Sequence, residues 1–180
     1  MSQIPTEFAY PAASLLCASI GAVYDVRSHR VPNFVTLPAI VIGLLLHFSL
    51  GGWGQLASAV VAGTICGMIF LMFYLAGGMG AGDVKLIAAA GCIAGLSLIG
   101  PLLIMTSFAG GVMAIALALY RRRFKETMLT VRSLTRHHKT AGLVPHPEFN
   151  INNAQTLRLP YALAIATGSA LSLWLLIGQR

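Results

Sequence analysis

Of the 180 residues, 57% are hydrophobic and 9% are charged, against roughly 45–50% and 25% in an average soluble domain. A water-soluble globule would have too few charges to cover its surface, and a disordered tail would not be this apolar. The composition instead implies an all-α polytopic membrane protein, one domain over 1–180. Twelve Lys and Arg against five Asp and Glu leave a formal net charge of +7. The basic residues flank apolar runs and form no stripe interleaved with aromatics, so anionic lipid headgroups are the expected partner and nucleic acid is not.

Charge-free runs at 8–24, 31–82, 86–120 and 159–179 lay out the elements. A spanning helix needs about 20 apolar residues. The first run predicts a helix over 8–24. Met1 to Glu7 contains no Lys or Arg, as a secretory leader would, so this helix is read as retained. The second run predicts helices over 33–50 and 55–76, joined by the turn Gly51-Gly52-Trp53-Gly54. The third predicts 84–99 and 101–120, divided at Gly100-Pro101. The last predicts 159–178 and brings the expected transmembrane helices to six.

Eleven of the twelve basic residues fall in the segments after the first, third and fifth predicted helices. By the positive-inside rule those segments are cytoplasmic and both termini lie outside. The longest of them, 121–158, is a basic loop in which Phe124, Met128, Leu129, Val131 and Leu134 suggest a short amphipathic helix on the inner leaflet. Its His137, His138 and His146 have no acidic or Cys companion at a zinc spacing, and no metal or cofactor is expected. Cys17, Cys66 and Cys92 stand singly inside apolar runs, without a C-x-x-C pair, and read as packing residues.

Only five acids are present. Glu7 is terminal, and Glu126 and Glu148 lie in the basic loop. Asp25 and Asp83 end apolar segments on the side assigned to the cytoplasm. An Asp at the centre of a span costs about 2.5–3.5 kcal/mol on insertion scales, so two at one boundary are notable. Carboxylates held close cannot both ionise cheaply. One keeps a proton, which supplies an acid and a base for peptide hydrolysis. Ordinary interfacial aspartates, partnered by Arg27 or Lys85, are the alternative. The run Gly77-Gly78-Met79-Gly80-Ala81-Gly82 before Asp83 favours a site, because glycines would let backbone, water and an extended substrate come close.

Gly80-Ala81-Gly82-Asp83-Val84-Lys85 resembles the G-x-G-D motif of membrane aspartic proteases. Asp25-Val26-Arg27-Ser28-His29-Arg30-Val31-Pro32-Asn33 resembles the first-aspartate motif of type IV prepilin peptidases. Leu159-Pro160-Tyr161-Ala162-Leu163-Ala164-Ile165-Ala166 is similar to the last helix of their short Flp/Tad-pilus members. The resemblance runs from the first predicted helix to the last. It implies Asp25 and Asp83 as the catalytic pair. Gly80, Gly82, Lys85, Arg27, Pro32, Asn33, Pro160 and Tyr161 are supporting motif residues. It further implies a prepilin helix as substrate, cleavage at the cytoplasmic face of a bacterial inner membrane, and no cofactor or metal. Larger bifunctional relatives add an insertion with paired C-x-x-C motifs and N-methylate the pilin. This sequence has no such pairs, so methyl transfer is not carried over. The alternatives are an archaeal-type preflagellin peptidase, a presenilin-like or other G-x-G-D protease, and a small proton-coupled transporter.

Overall fold

The computed structural model describes residues 6–28, 30–121 and 161–178. All regular structure among the described residues is helical: α1 (Thr6–Ser28), α2 (Asn33–Leu75), α3 (Ala81–Ala94), α4 (Ile99–Tyr120) and α5 (Tyr161–Gly178). The basic loop beyond Arg121, with its expected amphipathic helix, and Pro160 lie outside the described residues. Four of the helices, all but α3, are long and apolar enough to cross a bilayer. Leu45, Ile104, Phe108 and Trp174 are among the large apolar side chains left exposed on them, as a lipid-facing surface requires. The chain is a multi-pass membrane bundle.

Helix α2 has 43 residues, about 65 Å if straight, twice a hydrocarbon core. It is bent at one residue, Gly52 (φ 66°, ψ −157°). The turn expected over four residues is thus made by one. Both arms pack on α3, in opposite directions. In the first arm, Asn33 bonds Lys85 and Gly43 lies against Ile93. In the second, the Ser58 hydroxyl accepts the Leu96 N–H at 3.1 Å, and Gly67 lies against Ala88. The arms therefore form a hairpin around α3. A Cβ at position 52 would meet no atom within 4 Å, but its backbone is in a region nearly restricted to glycine. Gly52→Ala is expected to cost about 1–3 kcal/mol, read as a lower thermal midpoint in detergent.

Helix α3 has 14 residues, about 21 Å, short of a span. The expected count of six crossings includes this helix, which carries the chain from the Asp83 end of the bundle to the His47 end. It is buried along most of its length by its neighbours. A Cβ on Gly91 would come within 2.6 Å of the Cys66 sulfur, and one on Gly63 within 3.0 Å of the Ala88 carbonyl oxygen. Small residues thus admit backbones that otherwise could not approach. Helix α1 runs antiparallel to α3: the Ser14 hydroxyl donates to the Ala90 carbonyl at 3.0 Å, and Gly21 lies under Leu86. At the far end His47, 2% exposed, donates its Nε2–H to the Ile93 carbonyl at 3.0 Å and stacks on Tyr10. Helices α4 and α5 form a second antiparallel pair, with Gly168 against Thr106 and Gly110 against Ala164.

The observed boundaries correct the expected ones where polar residues mislead. Helix α1 continues past residue 24 to Ser28, whose hydroxyl donates to the Tyr24 carbonyl at 2.8 Å and the Arg30 carbonyl at 3.1 Å. Asp25 is therefore in the last helical turn. Helix α3 starts at Ala81, three residues earlier than predicted, and ends before Gly95 (φ 76°). The division before α4 is Gly95 to Leu98, not Gly100-Pro101. Pro101 sits in the first turn of α4, where the missing N–H has no intrahelical partner to lose.

Candidate active site

The C-terminal end of α1 and the N-terminal ends of α2, α3 and α5 meet at one end of the bundle. Asp83 is the third residue of α3. The Gly80 N–H donates to its Oδ2 at 3.2 Å, and the Asp83 N–H donates to the Gly80 carbonyl at 3.2 Å. An acid at this position reaches back to cap the helix, and the helix dipole favours its anion. The rest of the environment opposes the anion. Asp83 is 8% exposed, and its Oδ1 is buried without a hydrogen-bond partner among the described residues. Leaving such an oxygen unpaired costs about 1–3 kcal/mol, which a proton or a bound water relieves.

Asp25, half-buried on α1, is near enough for its charge to act on Asp83. Asp83 lies outside the four long apolar helices. Burial first, and the Asp25 charge second, push its carboxyl up to about 7, while the Gly80 bond pulls it down. The Asp83 carboxyl can therefore exchange a proton near neutral pH, beside the charge of Asp25.

Of the glycines before Asp83, Gly77 is left-handed (φ 78°) and Gly80 (φ −83°) is not; the other positive-φ glycines among the described residues are Gly52 and Gly95. Gly80 and Gly82 make room for the protein's own chain. A Cβ on Gly82 would lie 3.1 Å from the Val31 nitrogen and 3.2 Å from its Cβ. A Cβ on Gly80 would lie 3.3 Å from Asp83 Oδ2. Val31 is buried at this contact, so the connection from Asp25 to α2 rests directly on the first turn of α3.

The supporting residues divide. Pro32 is the N-cap of α2, with its carbonyl accepting the Val35 N–H at 3.1 Å. Lys85 Nζ donates to Asn33 Oδ1 at 3.0 Å. Tyr161, half-buried at the start of α5, lies within reach of the Asp83 charge. Arg27 is exposed and lines a groove of about 430 Å³ between α1 and α5, with Ser19, Ala22, Val26, Leu163 and Ala166. His47 was not anticipated. A lone His in an apolar run was the available signal, and its position at the opposite end separates it from this site.

A family model described as the type IV leader peptidase family matches residues 12–115, which include both aspartates. A prepilin leader peptidase/N-methyltransferase of Neisseria gonorrhoeae is 36% identical over 107 residues, covering 55% of this chain and 37% of the relative. One of Burkholderia pseudomallei (strain 1026b) is 32% identical over 130 residues, covering 65% of this chain and 41% of the relative. The aligned part is about two fifths of the length of these curated relatives. No solved structure gives a significant match.

Proposed function

Since the chain belongs to the type IV leader peptidase family, we propose that it is an aspartic endopeptidase that removes the leader of a type IV prepilin. The observation that carries this reading is the buried Oδ1 of Asp83, without a hydrogen-bond partner among the described residues, beside the charge of Asp25. The distribution of basic residues supports work at the cytoplasmic face with both termini outside, and the bacterial sources of the relatives support an inner membrane. The likeness of Leu159 to Ala166 to the last helix of short Flp/Tad-pilus members supports a substrate of that type.

The two carboxyls take unequal roles because they are unequally buried. Asp83, the more buried, holds the proton. Asp25, more exposed, is the base. A water between them gives its proton to Asp25 as its oxygen adds to the scissile carbonyl carbon. Asp83 donates its proton to the carbonyl oxygen. Collapse of the tetrahedral intermediate returns that proton to Asp83, while Asp25 protonates the leaving amine, and the pair is reset. Methyl transfer, the second half of the relatives' name, is not proposed: Cys17, Cys66 and Cys92 are buried singly in helices and form no C-x-x-C pair.

The direct test is co-expression with a candidate prepilin, with leader removal followed by mass. A prepilin left at its full mass by the wild-type chain contradicts the reading. A pH series gives a second check. Asp83 acts as an acid only while protonated, so cleavage should decline as pH rises through about 7. The limb belongs to the coupled pair. A rate that does not change between about pH 6 and about pH 9 would exclude a carboxyl acid of this kind.

A further inference from the structure

We infer that Lys85 and Asn33 form a positioning clamp for the two aspartates. The inference rests on the peptidase reading for its kinetic consequence, though not for its geometry. Lys85 follows Asp83 by two residues on α3, and Asn33 opens α2. Their hydrogen bond, 3.0 Å, joins positions 52 residues apart. Asn33 is also the far end of the short connection that leaves Asp25. The bond thus closes a ring: Asp25, the connection, Asn33, Lys85 and Asp83. Inside that ring Val31 rests on Gly82, so close that a Cβ there would lie 3.1 Å from the Val31 nitrogen.

Two contacts therefore hold the Asp25 connection against the helix that bears Asp83. The Val31 contact sets how near it lies. The Lys85 bond sets its position along α3. Both side chains are exposed, and one exposed hydrogen bond adds little to the stability of a bundle this extensively packed. Its value lies in alignment, since a displacement of about 1 Å in a catalytic group can cost roughly 10²-fold in rate. The amide oxygen of Asn33 takes one ammonium proton of Lys85. The cation is thereby anchored to the start of α2, where the connection ends.

The test uses the full chain in detergent with a prepilin substrate. Lys85→Met and Asn33→Leu are each expected to lower kcat by roughly 10²-fold, with KM held within about twofold. The double variant should be no worse than the poorer single. Lys85→Arg and Asn33→Asp, which keep a donor facing an acceptor, should retain most of the rate. Normal turnover in Asn33→Leu with a defect in Lys85→Met would overturn the clamp and give Lys85 a direct contact with substrate. A second readout needs no substrate. In an Asp25→Cys, Asp83→Cys background, cross-linking by a short bis-maleimide, which adds across both thiols, should slow by roughly tenfold when Lys85→Met is added. Unchanged cross-linking also overturns the clamp. A wild-type chain inactive on prepilin bears on the proposed function alone.

Discussion

Asp83→Asn is expected to abolish leader cleavage, a loss on the order of 10³-fold, while the protein continues to accumulate in the membrane. The amide oxygen can still accept the Gly80 N–H that now reaches Oδ2 at 3.2 Å, so the start of α3 keeps its cap. The amide nitrogen would stand at the position of the orphaned Oδ1. It is neutral, which suits the burial, but it cannot give up a proton at neutral pH. Asp25→Asn should be as inactive for the complementary reason, since it cannot take the proton of the attacking water. Leader removal read by mass, with the amount of folded protein measured alongside, checks both. Cleavage by either variant within about tenfold of wild type would remove the pair from the mechanism.

Gly82→Val is expected to lose at least about 10²-fold in cleavage per folded molecule. The branched side chain would press on the Val31 nitrogen and Cβ, already 3.1 and 3.2 Å from where its own Cβ would lie. The Asp25 connection would then lift from α3. Gly54→Ala is the matched control, because a Cβ there meets nothing within 4 Å and the backbone is not left-handed. It should be close to neutral in both stability and rate. Gly52→Ala is a different control: its strained backbone should lower stability while the folded fraction cleaves normally. Wild-type cleavage by Gly82→Val would mean that the connection can move without displacing Asp25.

The bundle was legible because membrane spans are defined by local composition. Charge-free runs located the helices, and glycines located the bend in α2. The aspartates stood out because acids are rare here and costly at such a depth, and the motifs around them supplied the family. Helix ends were less legible. Asp25-Val26-Arg27-Ser28 reads as a polar loop, yet it continues α1, and Ser28 ends the helix through two carbonyls. Asp83 reads as the residue before a helix, yet a backbone bond from Gly80 draws it into the first turn.

What the sequence could not convey is long-range contact. Gly82 is a glycine because of Val31, and Lys85 is held by Asn33; neither partner is near in the chain. The buried His47 depends on the Ile93 carbonyl and the Tyr10 ring, which only the folded bundle brings to it.

The short α3 also has a consequence for how the protein is made. At 14 residues it is too short to be retained by lipid on its own account. Its principal neighbours are α1 and the two arms of α2, all of which precede it in the chain. The cradle therefore exists before its occupant leaves the ribosome. Helices α4 and α5 pair with each other, and α5 with α1, leaving α3 mostly to the earlier elements. The two aspartates can thus meet during synthesis, once roughly the first half of the chain has been inserted. Lesions in the later helices would shorten the lifetime of the finished molecule more than they would prevent the aspartates from meeting.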